Sequence, residues 1–403
     1  MRSIAAISRF NKVMTPPIAE ISAFANELER QGKSIIHCTG QGIPYISPPD
    51  YALEVISDQI LKDPSIHSYS PDPGFLEVRE AVSSYLSDDF SIETNPESLF
   101  LTAGSNMAFF MLITALLEPG HTEVLFSSPY YFNHVMAVQI AGGKPIIARS
   151  SNGLELDSAT IASEVTKKTR AIISVSPNNP SGAVFSKKTF EKLSGIFEEH
   201  NDIVLISDEA YANFVYGQNQ HCSPASLPNL RDFTCTLGSC SKAFGVAGWR
   251  LGWFQLPPVL DKLHGTLLKI QDTTNIAPPS ISQRLLLAIL QGPYKNYLKG
   301  TRKLLEKNWL VATEWKQSLS DESEIEIPQS PEGAFYLFPK IKSCKDSITL
   351  SKELLQETGV VTVPGIAFGE ESYLRISYAG RLEKVQEALQ RFEKFLRNRK
   401  GKK

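Results

Sequence analysis

The sequence predicts an α/β protein, with a mainly parallel, doubly wound sheet in a large domain and a smaller α+β domain beside it. Two observations carry the sheet. From about residue 50 to 290, strand-like and helix-like segments alternate. Several of the strand-like segments are continuously apolar, as strands covered on both faces are. A third observation marks the smaller domain: from about residue 294 a long charged helix pattern replaces the alternation.

A chain of 403 residues is too long for one simple core. The expected division is an N-terminal arm and part of the small domain over 1–45, a large cofactor-binding domain over 46–293, and a C-terminal small domain over 294–403. With 42% hydrophobic and 21% charged residues the composition is that of an ordinary globular protein. A formal net charge of −2 offers no field for nucleic acid, and no apolar run approaches a membrane span. "MRSIAAISRFNKVM" has too short an apolar run for a secretory signal, although the absence of acidic residues before Glu20 leaves an organelle transit peptide as a minor alternative. Cys38, Cys222, Cys235, Cys240 and Cys344 are odd in number and lack metal-ligand spacing. They read as inert thiols in a reducing cytoplasm, and no metal site is expected.

The elements follow in order. In "PPIAEISAFANELERQG", Ile18, Ile21, Ala25 and Leu28 recur at helical spacing behind prolines, and "SIIHCT" then reads as a short strand. "LEVREAVSSYL" puts Leu76, Val82 and Leu86 on one helical face. Next come "SLFLTAG" (strand), "NMAFFMLITALLE" (helix), "TEVLFSSP" (strand), "YFNHVMAVQIAGG" (helix), and the strands "KPIIARS" and "TRAIISVS". "KKTFEKLSGIFEEH" is a helix, followed by the strands "DIVLISDEA", "FTCTLG" and "WRLGWFQL". "YKNYLKGTRKLLEKNWLVATEWKQSL" opens the second unit, which continues through "GAFYLFP", "VVTVPG" and "YLRISYA" to a last helix and a basic, solvated tail, "RNRKGKK".

Open α/β sheets bind ligands at the carboxyl ends of their strands. There the sequence places Gly104, Ser105 and Asn106 after "LFLT", Asn179 in "SPNNPSG", Asp208 and Tyr211 after "VLIS", and Ser239, Ser241, Lys242 and Arg250 in "SCSKAFGVAGWRLG". Each alone has a plainer reading, as an N-cap, a turn or a loop cap. Together they are complementary. A helix start offers free N–H groups to a phosphate, and the serines and Arg250 add hydroxyls and a forked cation. Lys242, set between two apolar strands where an unused charge is costly, offers an amine for a Schiff base. Asp208 offers a fixed negative charge, and Tyr211 and Asn179 offer hydrogen bonds to a ring oxygen. The ligand so described is pyridoxal 5′-phosphate (PLP).

With these motifs the chain resembles the class I/II aminotransferases of fold type I, the aspartate aminotransferase superfamily. The resemblance runs from "PPIAEISAFANELERQGKSIIHCTGQGIP" through "YSPDPGFLEVREAV", "TAGSNMA", "SPNNPSGAVF", "SDEAY", "SCSKAFGVAGWRLG" and "GAFYLFP" to "VPGIAFG" and "YLRISYA". It implies that Lys242 forms the internal aldimine with PLP and shuttles the proton, and that Asp208 pairs with the pyridine nitrogen. Tyr211 and Asn179 bond the 3-oxygen, and Gly104, Ser105, Asn106, Ser239, Ser241 and Arg250 surround the phosphate. It further implies that Tyr131, with Tyr130 as the competing choice, stacks on the ring. Arg375, with Gly42 and Asn179 beside it, holds the substrate α-carboxylate. Tyr69 matches the tyrosine that reaches the neighbouring subunit's cofactor, so a homodimer with sites at its interface is implied. Phe132 and Asn106 depart from the proline and glutamine of many members, and no second arginine for a substrate side-chain carboxylate is evident. The implied reaction moves the α-amino group of an amino acid to a 2-oxo acid (EC 2.6.1.-). The alternative on the same scaffold is a PLP lyase or an aminocyclopropane-carboxylate-synthase-like enzyme. A non-catalytic DNA-binding sensor is disfavoured, because no helix-turn-helix precedes Ile18.

Overall fold

The computed structural model describes residues 11, 13–15, 17–150, 154 and 156–400. Most of the "MRSIAAISRFNKVM" segment and the end of the basic tail lie outside them. The central sheet has seven strands: β1 (Leu99–Thr102), β2 (Glu123–Ser128), β3 (Lys144–Arg149), β4 (Thr169–Val175), β5 (Val204–Asp208), β6 (Thr234–Ser239) and β7 (Gly252–Gln255). Their spatial order is β1-β7-β6-β5-β4-β2-β3. Neighbours from β3 through β6 are parallel, and β7 runs antiparallel to both β6 and β1. The carboxyl ends of the six like-directed strands therefore share one edge.

The strands are apolar throughout because both faces are covered. In β1, Phe100 enters one layer while Leu99 and Leu101 enter the other; in β5, Val204 and Ile206 oppose Leu205. The helices α1 (Pro17–Arg30), α2 (Asp50–Lys62) and α3 (Leu76–Phe90) precede the sheet, and α4 (Ser105–Leu116), α5 (Phe132–Ile140), α6 (Ser158–Glu164), α7 (Lys187–Glu191), α8 (Ser194–Glu199) and the short α9 (Cys240–Ala243) connect its strands. After it come α10 (His264–Asn275) and α11 (Ser280–Gln291). Residues of α4, α5 and α10 cover one face; α2, α3 and α11, with α6, α7 and α8, cover the other. Each large apolar side chain so buried contributes about 1.5–3 kcal/mol.

The rest is α12 (Tyr294–Ser318), β8 (Ile325–Glu326), β9 (Tyr336–Leu337), β10 (Lys340–Ile341), α13 (Ser347–Thr358), β11 (Val363–Pro364), β12 (Leu374–Ser377) and α14 (Leu382–Lys400). An antiparallel β11-β12-β9 sheet packs with α12, α13 and α14 around Phe335, Leu337, Ile376 and Phe392. Ile21, Ala25 and Leu28 of α1 pack on Leu355 and Val361 of this unit. The helix α12 spans both regions: Tyr294 and Tyr297 pack on the large sheet's core, whereas Leu305 and Ala312 enter the second core.

Three segments differ from expectation. "SIIHCT" forms no strand; Ile36 makes a single bridge to Val360 and the chain turns at once into a 3₁₀ turn over His37–Thr39. That turn brings the Gly40 carbonyl onto the Arg375 guanidinium (2.7 Å). "KKTFEKLSGIFEEH" breaks into α7 and α8, where the Leu193 N–H shortens its bond to the Phe190 carbonyl and Gly195 lowers helix propensity. In "WRLGWFQL" only the second half is strand, because Arg250 takes a left-handed φ of 52°.

Candidate active site

At the shared strand edge lies a cleft of about 270 Å³. The turn after β1 places Gly104 at φ 88°, and α4 starts at Ser105. A side chain at Gly104 would put its Cβ 2.2 Å from Arg250 Nη2, so the glycine is what admits the guanidinium. Arg250 also donates to the Ser241 hydroxyl (3.5 Å) and to the carbonyls of Ala247 (3.0 Å) and Ala103 (3.3 Å). Ser239 ends β6 and caps α9, accepting from the Ser241 N–H. Ser105, Asn106, Ser239, Ser241 and Arg250 thus line one end of the cleft.

Asp208 ends β5 and lies 5% exposed at the floor. Its Oδ1 accepts from the Ala210 N–H (3.0 Å), and Nε2 of His134 stands 3.1 Å from its Oδ2. The turn that follows is anchored by the buried Glu209, which accepts from Ser207, Ser223 and His221. Tyr211, held beyond that turn, shares a 2.8 Å hydrogen bond with Tyr336. Burial raises both hydroxyls above the usual tyrosine range, so both stay protonated.

Lys242 on α9 donates to the Gly42 carbonyl at 2.6 Å. Burial, together with the Arg375 and Arg250 charges, pulls its amine down from 10.5 to about 8, against the opposing pull of Asp208. Arg375, on β12, is 2% exposed. It donates to Asn179 Oδ1 (2.9 Å) and the Gly40 carbonyl (2.7 Å), and its guanidinium lies 4.6 Å from the Tyr336 ring centre. Its Nε has no hydrogen-bond partner among the described residues.

The structure thus brings Gly42, Ser105, Asn106, Tyr131, Asn179, Asp208, Tyr211, Ser239, Ser241, Lys242, Arg250 and Arg375 to one cleft. Gly104 lies directly behind it. Tyr131 faces the cleft, whereas Tyr130 packs against the segment of Phe368 and Gly369. Tyr69 is not among the residues lining the cleft and is 77% exposed. Sequence reasoning missed His134 and Tyr336. His134 sits on the first turn of α5, three residues after Tyr131, and stacks on Phe109 at 4.0 Å. Its only signal was a lone histidine just beyond a strand end. Tyr336 lay inside the quoted "GAFYLFP" with no spacing to single it out.

The chain matches the profile of the family "Aminotransferase class I and II" over residues 40–392. It is 32% identical over 397 residues to a probable aspartate/prephenate aminotransferase of Aquifex aeolicus, covering 96% of this chain and 98% of that one. It is 33% identical over 386 residues to aromatic-amino-acid aminotransferase 2 of Thermococcus litoralis, covering 92% and 94%. Aspartate aminotransferase from Thermus thermophilus with maleate superposes with a TM-score of 0.88 at 28% identity, over 98% of this chain and 100% of that one. The chain belongs to the class I and II aminotransferase family. It has the type I fold and is an amino-group transferase of the 2.6.1 class, and the elimination reading finds no support among these relatives.

Proposed function

We propose that the chain transfers the α-amino group of an amino acid to a 2-oxo acid with PLP held in this cleft. The observation that carries the reading is Lys242: an amine drawn down to about 8, between the buried Asp208 and the carboxylate-sized fork of Arg375. The residues fit the cofactor. Gly104 and Gly252 clear a cradle that a Cβ would fill, since at Gly252 it would lie 2.7 Å from the Ser105 nitrogen. Around that cradle stand the start of α4, the hydroxyls of Ser239 and Ser241, and Arg250, a donor set suited to a phosphate.

PLP, when bound, supplies a carbonyl that captures the substrate amino group and a ring that takes up electron density from Cα. The chain's residues do the rest. Arg375 offers its outer nitrogens to the substrate α-carboxylate as a bidentate pair, which a lysine could not match. Lys242, neutral above about pH 8, takes and returns the proton at the substrate Cα. Asp208, steadied by His134 and the Ala210 N–H, would keep a proton on the ring nitrogen. Tyr211 and Asn179 would donate to the ring oxygen.

A homodimer is part of this reading. It is supported by the exposed Tyr69, whose loop is held firmly: Gln283 donates to Ser70 Oγ (2.8 Å) and Gln271 to the Asp72 carbonyl (2.5 Å). The free state of all five cysteines supports a reducing compartment, the cytoplasm. A division of the chain near residues 45 and 293 is supported by the distinct cores of the two regions, which meet where Tyr211, Phe214 and Tyr216 join the second one, with α12 as the shared helix.

The test is stoichiometric. PLP-loaded protein given one L-amino acid and no acceptor is expected to release one equivalent of 2-oxo acid per subunit and stop, then to turn over when a 2-oxo acid is added. Continuous release of ammonia would establish the lyase reading instead.

A further inference from the structure

Consecutive residues of a strand point to opposite faces of its sheet. At the end of β5 this sets two carboxylates back to back. Val204 and Ile206 enter the core that α4, α5 and α10 cover, and Asp208 keeps their side, where His134 of α5 meets it. Leu205 enters the opposite core, and Ser207 and Glu209 keep that side, bonded to each other. Each carboxylate stands against Nε2 of one enclosed histidine, 3.1 Å for Asp208 with His134 and 2.8 Å for Glu209 with His221.

The second pair is closed off from water: the side chains of Glu209 and His221 are each 5% exposed. A buried carboxylate is costly unless donors meet its lone pairs. Here Oε1 accepts from the hydroxyls of Ser223 (2.6 Å) and Ser207 (2.9 Å), and Oε2 from His221. The His221 ring is itself pinned, edge-on to Phe90 with ring centres 5.7 Å apart. None of these residues lines the cleft, whereas Asp208, Ala210 and Tyr211 all do. Glu209 is thus the one member of the 208–211 turn that faces away, and it is the one bolted to the protein behind. The bond from the Ala210 N–H to Asp208 Oδ1 (3.0 Å) closes over it, so where residue 209 is held decides where the Asp208 carboxylate points.

We propose that Glu209 is a positioning residue for amino transfer. Clamped by Ser207, His221 and Ser223 on the far face of the sheet, it fixes the turn that aims Asp208 at the cofactor ring nitrogen and Tyr211 at the ring oxygen. This rests on the amino-transfer reading above and adds to it a determinant that lies outside the cleft.

Variants of the PLP-loaded enzyme test it. Glu209→Leu keeps the bulk and removes every acceptor. Glu209→Gln keeps an acceptor oxygen for both serines. Ser223→Ala removes one donor only, and replaces Glu209→Leu in the test if that variant does not fold. Solid-state NMR of PLP isotopically labelled at the ring nitrogen reads the proton held there, without turnover. In Glu209→Leu that resonance is expected to move toward the unprotonated position. The kcat per PLP-bearing subunit should fall at least about tenfold, with KM for the amino acid within about threefold of wild type. Ser223→Ala should shift both readings in the same direction, with a fall in kcat of at least about threefold. Glu209→Gln is expected to restore the resonance and most of kcat. A Glu209 that served stability alone would lower the yield of folded protein and leave both readings where they are. An unmoved resonance with wild-type kcat per subunit, or an equal loss in the Gln and Leu variants, overturns the proposal while amino transfer itself stands. Failure of the unsubstituted protein to bind PLP or to yield any 2-oxo acid would instead refute the proposed function.

Discussion

At the scale of single residues, the depressed Lys242 amine has a consequence for stability that can be signed. Below about pH 8 the folded and unfolded chains both carry the proton, and the fold bears the whole cost of the buried charge. Between about 8 and 10.5 only the unfolded chain binds it, so stability rises with pH; above 10.5 neither does, and the cost is gone. In the cofactor-free protein, Lys242→Met is therefore expected to be the more stable form at pH 7, by at most about 3 kcal/mol. Urea denaturation should show that advantage shrinking between pH 8 and 10.5. A difference that stays constant across this range would mean that the amine is not perturbed. Asn179, Asp208, Lys242 and the residues at the phosphate end were legible because they follow strand ends, in runs whose glycines and serines leave few other readings, whereas Arg375, inside β12, was legible only through the family resemblance. His134 and Tyr336 were not, since they act through contacts made only in the fold: one stacks on Phe109 and reaches Asp208, the other bridges Tyr211 and Arg375.

At the scale of elements, the junction of β1 and α4 does what a sequence pattern alone only suggests. It aims a helix start and a guanidinium at one point, and Gly104 makes room for both. Gly104→Ala would strain a φ of 88° and crowd Arg250. The strain is expected to cost about 1–3 kcal/mol in denaturant titrations. Displacement of Arg250 is expected to weaken PLP affinity at least tenfold by fluorescence titration, with the fold retained. Unchanged affinity would place the phosphate elsewhere. The strands of the large sheet were readable because burial on both faces leaves an uninterrupted apolar run, as in "AIISV" of β4. Local breaks were less so. The turn after Ile36 is set by Arg375, more than 300 positions away in sequence, and nothing in "SIIHCT" announces it.

At the scale of the whole molecule, the dimer reading places Tyr69 and Lys242 of a given site on different chains. Mixing inactive Lys242→Ala protein with an inactive Tyr69 variant and allowing subunits to exchange should then restore part of the activity, because a hybrid dimer gathers both lesions in one site and leaves the other whole. No recovery in samples shown to contain hybrids would mean that each site is built within one chain. The central claim is that Lys242 holds the cofactor in the cleft formed by the sheet edge and β12. Borohydride reduction of the PLP-loaded protein, followed by digestion and mass spectrometry, tests it most directly. PLP should be found fixed to Lys242 alone, at one equivalent per chain, and lost from that peptide when L-amino acid is added before the reductant. Attachment to another lysine, or none at all in protein that still transfers amino groups, would contradict the claim.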